Sequence, residues 1–186
     1  MRYFPVNLCG WSLDSNNKCP VQAFPRESIN LAGLPFRIPY DAKTDRSGCL
    51  VVEPGETVTI PSWEREVTGV HFLGAGDQPK AGGTGGVLEA RYGYRHPPED
   101  RAATATAKTS VFRFGDHFNC YRWASGVKSG KVAWSGDCQR DRSAALYTWF
   151  LKSELNPEAP LAFIDLTNTG DAPVAILGLT FEKRIR

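Results

Sequence analysis

The chain has 186 residues, of which 41% are hydrophobic and 23% charged, and a formal net charge of +2 at pH 7. That length fits one domain with a real core, and near-neutrality gives no reason to expect the footprint of a nucleic-acid binder or a strong pull toward acidic membranes. No stretch approaches the roughly twenty apolar residues of a membrane-spanning helix.

At the N-terminus, MRYFPVNLCGW lacks the apolar run and cleavage site of a signal peptide. It fits a chain whose leader or neighbouring domain has been removed, and fits a cytoplasmic start equally. Residues 1–30 read as an extension packing on a single domain that spans 1–186. Amphipathic helices are almost absent; the best candidate is the stretch around Pro25–Ala32, stopped by Pro35.

From there the period is that of strands. Leu34, Phe36 and Ile38 alternate. Leu50 and Val52, the turn EPGE, then Val58 and Ile60 read as a hairpin over Cys49–Pro61. Val70 and Phe72 alternate, with His71 pointing to the opposite face. The Gly-rich GAGDQPKAGGTGG, Gly74 to Gly86, has no GxxxxGK[ST] and leads into no helix, so it reads as a hairpin loop and not a phosphate loop. Tyr92 and Tyr94 share a face, as do Phe112 and Phe114. SAALYTWFL is apolar on both faces, which marks a central strand. After it, LAFIDL and VAILGLTFE flank the turn-forming TNTGDAP, with Leu177, Leu179 and Phe181 in phase. Eight to ten short strands with frequent turns indicate an antiparallel β-sandwich or barrel.

The five cysteines form no CxxC and no zinc spacing. Cys9 with Cys19, and Cys120 with Cys138, could each close a loop by a disulfide, which would suit a secreted or periplasmic protein. Reduced, buried cysteines fit the sequence equally. The odd count leaves at least one unpaired within the chain.

The candidate binding residues cluster in FNCYRWASG and its flank. Trp123, with Tyr121 or Trp63, offers a ring on which the apolar face of a sugar stacks. Arg122, Asn119, Asp116 and His117 supply donors and acceptors for hydroxyls or a carboxylate. Trp134 and Trp149, at strand positions, read as core. Loop aspartates such as Asp171 read as caps of backbone groups. A structural calcium ion held by such loops is compatible with a sandwich, but no EF-hand spacing supports it, and no other cofactor is expected. No nucleophile motif such as GxSxG occurs. An enzyme on the same sandwich, a lyase or glycoside hydrolase, would use His71, His96 or His117 as base and Tyr121 as acid. A structural role would use Tyr92, Tyr94, Arg91 and Arg95 as an interface between copies.

The order GLPFRIP, LVVEPGETVTIP, VTGVHFLGAG, a Tyr-rich strand, an aromatic loop and LYTWFLKSELNPEAPLAFIDL is that of a known module type. From about Leu31 onward the chain resembles the galactose-binding-like (jelly-roll) β-sandwich modules found beside catalytic domains in bacterial glycan-degrading enzymes. Leu146, Tyr147, Trp149, Asn156, Pro157, Ile164 and Asp165 match their late LY…W…NP…ID segment. Lys152, Ser153 and Glu154 ahead of the NP pair depart from it, as does the long Arg95–Ser110 loop. The resemblance implies a jelly-roll fold, an accessory carbohydrate-binding role, a polysaccharide or oligosaccharide as partner, and a neighbouring catalytic domain or a second copy. It transfers no ligand-binding residue.

Overall fold

The computed structural model describes residues 2–6, 28–41, 46–47, 49–76, 82–94, 108–114, 131–136, 142–150 and 160–184. Among them there are strands and turns but no helix. The early strands are β1 (Arg2–Pro5), β2 (Ser28–Leu31), β3 (Leu34–Arg37), β4 (Tyr40–Asp41), β5 (Arg46–Ser47) and β6 (Leu50–Val52). The middle ones are β7 (Thr57–Pro61), β8 (Val67–Gly76), β9 (Gly86–Tyr94) and β10 (Lys108–Phe114). The last are β11 (Lys131–Gly136), β12 (Arg142–Phe150), β13 (Leu161–Asn168) and β14 (Val174–Lys183).

Two antiparallel sheets form the sandwich. One runs β1-β14-β8-β12-β11, with β6 also on β14; the other runs β10-β9-β13-β7. The pairs β6–β14, β7–β13, β8–β12 and β9–β10 are nested. A chain with nested pairs is one long ribbon rolled over on itself, which is the jelly roll. β12 lies between β8 and β11, the interior place its two apolar faces require.

The inward faces meet in one core. Val70 and Phe72 of β8, Leu88, Ala90 and Tyr92 of β9, Ile164 and Leu166 of β13, and Leu179 and Phe181 of β14 pack together. Each of the Val, Leu, Ile and Phe side chains contributes about 1.5–3 kcal/mol by leaving water. Tyr92 is therefore a core residue and not part of an interface. A second cluster lies on the outer face of the larger sheet. There the β2–β3 hairpin lays Leu31, Leu34, Phe36 and Ile38 over Leu73, Ala175 and Leu177, with Cys49 buried among them. The expected helix around Pro25–Ala32 gives way, within the described residues, to β2 and a two-residue turn. Ile29 and Leu31 alternate onto this cluster, and a helix would carry them off it.

Three further expectations change. Cys49–Pro61 is not a hairpin: β6 pairs β14 and β7 pairs β13, so the EPGE turn carries the chain from one sheet to the other. Leu-Val-Val is apolar on both faces, so β6 is buried between the two clusters, whereas β7 has a polar outer face. The Gly-rich loop likewise joins β8 in one sheet to β9 in the other. Leu177 and Leu179 are out of phase, because β14 shifts register against β8 between Ile176 and Gly178. The bulge sends Leu177 outward and Leu179 inward. Gly178 lets the hairpin sit close, since a Cβ would stand 3.0 Å from the Phe36 ring and the ring would have to give by a few tenths of an ångström.

Candidate functional site

The near end of the sandwich is where β7 ends at Pro61 beside Phe163 and β9 ends at Tyr94. The chain crosses there from β7 to β8 through residues 62–66. Backbone bonds hold this crossing on both sides. Ser62 N donates to Ala162 O at 3.0 Å, Leu161 N to Glu64 O at 2.8 Å, and Arg184 N to Glu66 O at 3.1 Å. The Ser62 hydroxyl accepts from Glu64 N at 3.2 Å. Glu66 takes a left-handed φ of 59° to re-enter β8. Ser62 turns inward and is buried, so Trp63 turns outward and is 71% exposed. An enclosed Trp removes about 150–250 Å² from water, and this one forgoes most of that burial while its backbone is fixed.

Charged and aromatic groups stand in the sheets that this crossing joins. Glu64 pairs with Lys183 at the end of β14. The Lys183 ammonium also lies 4.3 Å from the ring centroid of Phe4 in β1. On the outer face of the four-stranded sheet, register sets three rows. Pro61 stands opposite Phe163, Thr59 opposite Asp165 and Arg91, and Thr57 opposite Thr167 and Glu89. Asp165 is the organising group, at 7% exposure. Its Oδ2 accepts from Arg91 Nη2 at 2.6 Å and Nε at 3.2 Å, and its Oδ1 accepts from the Thr59 hydroxyl at 2.7 Å. The guanidinium carbon of Arg91 lies 5.9 Å from the Phe163 ring centroid. Thr57 and Thr167 share a hydrogen bond of 2.8 Å.

The other face holds a different pair. His71 and Glu182, 4% and 7% exposed, meet at 3.2 Å between Nε2 and Oε2. Tyr3 of β1 sets its ring against His71 edge-on, centroids 5.8 Å apart. His71 thus points away from the core formed by Val70 and Phe72, as the alternation requires, and it is hydrogen-bonded. At the far end, Asp171 Oδ1 accepts from Thr84 N at 3.0 Å and Gly85 N at 2.6 Å, the capping role expected of a loop aspartate. Asn168, fully buried, donates to Val52 O at 2.8 Å and Ala172 O at 2.9 Å. Among the described residues no three His, Cys, Asp or Glu side chains group as metal ligands.

Of the residues expected to contact a ligand, Trp63 is described. Asp116, His117, Asn119, Tyr121, Arg122 and Trp123 lie outside the described residues, as do His96, Cys9, Cys19, Cys120 and Cys138. The chain leaves β10 toward that segment at Phe114, opposite Gly86, at the end of the sandwich away from Trp63. Phe163, Arg91 and Thr59 were not singled out by sequence as ligand contacts. The one signal they carry is their outward parity on strands, and parity does not say which strands are neighbours. No protein-family model matches the chain, and no curated protein matches it.

Proposed function

We propose that the protein is a non-catalytic carbohydrate-binding or accessory module of galactose-binding-like type, taking a polysaccharide or oligosaccharide by aromatic stacking and polar contacts. One observation carries this reading: Trp63 stands outward on a backbone fixed by hydrogen bonds to both sides. A pyranose presents an apolar face that replaces water on such a ring, and a backbone already fixed loses little entropy when the ring is covered. Glu64, the next residue in the chain, has a side chain 46% exposed and supplies an acceptor for hydroxyls. Affinity is modest, because sugar hydroxyls exchange water contacts for similar ones.

The lyase alternative has less support at His71. A general base must reach the proton it takes, and His71 is buried, engaged by Glu182 and covered by Tyr3.

The test is calorimetry and affinity electrophoresis against a panel of polysaccharides, with Trp63→Ala beside the parent protein. The expected result is binding to at least one polysaccharide, weakened tenfold or more in W63A, with an unfolding midpoint within a few degrees of the parent. A folded parent that binds no glycan in the panel rules the reading out.

A further inference from the structure

A single stacked ring does not select one sugar over another, because every pyranose has an apolar face. Selection needs polar groups held in fixed places beside the ring. The outer face of the four-stranded sheet has such groups. The side chain of Asp165 is only 10% exposed, while that of Arg91 is 56% exposed. The carboxylate therefore acts as an anchor under an exposed guanidinium. Arg91 spends two of its five N–H groups on Asp165 and turns the other three toward solvent. Thr59 spends its hydroxyl hydrogen on Asp165, so its oxygen remains an acceptor. A fixed donor fork beside a fixed acceptor matches a pair of adjacent hydroxyls, each of which both gives and takes a hydrogen bond.

Two more features define the ligand. The charge on Arg91 is cancelled by Asp165, and Glu89 stands two positions along β9 on the same face. With the guanidinium charge cancelled, this part of the face gives an acidic chain no net attraction, and an uncharged chain loses nothing by comparison. Second, the alternation that turns Thr59 and Pro61 outward continues to Trp63. Four residues at the rise of a strand separate Thr59 from Trp63 by about 13 Å, a span longer than one pyranose ring. Phe163, opposite Pro61, lies between them under Arg91.

We propose that this sheet face, with Arg91 and Thr59 fixed by Asp165, is a second contact surface continuous with Trp63, and that its ligand is an uncharged linear glycan chain of more than one sugar. The inference rests on the glycan-binding reading of Trp63 and adds to it the class and length of the ligand.

The deciding variant is the double replacement Arg91→Met with Asp165→Leu. It removes the polar groups while leaving no buried charge unpaired, a change that folded proteins commonly tolerate. Thr59→Val removes the acceptor together with its hydrogen bond to Asp165, leaves the Arg91–Asp165 pair in place, and serves if the double variant does not fold. The probes are uncharged β-glucan, mannan and xylan, their oligosaccharides of one to six sugars, and the acidic polymers alginate and polygalacturonate. The parent protein is expected to bind an uncharged polymer in preference to both acidic ones, with affinity rising beyond a single sugar. The double variant, or T59V in its place, is expected to lose that rise and about tenfold in affinity for the longer oligosaccharides. Oligosaccharide binding unchanged in the variants but lost in W63A overturns this inference and leaves Trp63 as the whole site. Preference for an acidic polymer also overturns it. Binding of no glycan by the parent protein removes both this inference and the reading under it.

Discussion

Ala32 and Gly33 make the two-residue turn between β2 and β3 with φ values of 53° and 83°. Two successive positive values define a type I′ turn, whose twist suits the hairpin. Gly33 adopts its value freely, but Ala32 carries a Cβ in a region that costs roughly 1 kcal/mol. Asparagine tolerates that region and keeps less chain entropy in the unfolded state than glycine. Ala32→Asn is therefore expected to stabilise the protein by about 0.5–1 kcal/mol, read as a higher urea midpoint at unchanged slope. Gly170 faces the opposite constraint. A Cβ there would stand 2.0 Å from the Gly85 carbonyl oxygen, so the approach of the two loops at the far end depends on its absence.

β14 is the element on which both cores depend. From Val174 to Glu182 every residue is buried. One face closes the sandwich and the other is covered by the β2–β3 hairpin. The hairpin is tied down by Phe36 over Gly178 and by the Thr180 hydroxyl donating to Pro35 O at 2.5 Å. Truncating Phe36 removes the largest piece of that cover. Phe36→Ala is expected to cost about 3–5 kcal/mol, as much as an equal deletion in the main core, and chemical denaturation measures it. A loss under 1 kcal/mol would mean that the hairpin is a loose flap. The alternation of Leu34, Phe36 and Ile38 made this strand legible, because a period of two survives in a sequence whatever it packs on. The bulge before Gly178 was not legible. One extra residue inverts the parity of everything after it, and nothing local in VAILGLTFE marks where it falls.

At the scale of the molecule, the all-β sandwich was readable from strand period and turn chemistry, while strand partnership was not. Thr59 and Asp165, which share a hydrogen bond, are 106 residues apart. The EPGE turn looks like a hairpin because turn residues state that the chain reverses, not which sheet it enters. Trp63 was legible as a tryptophan in a polar setting. Arg91 and Phe163 were not, because the rows that set them on one face with Thr59 and Pro61 exist only once β7, β13 and β9 are aligned.

The place of β14 also sets the order of events during synthesis. β1, β6 and β8 all pair with it, and none of them has a finished sheet around it beforehand. A ribosome that has made the first 173 residues therefore holds a chain with two sticky, half-built layers. Folding waits for ten more residues to clear the exit tunnel, then proceeds through contacts of very long sequence separation, which are slow to find. Nascent chains stalled before Val174 are expected to be cut readily by protease, and chains extended so that Lys183 is outside the tunnel to resist it. In the interval the chain is a natural client for chaperones that shield apolar strands.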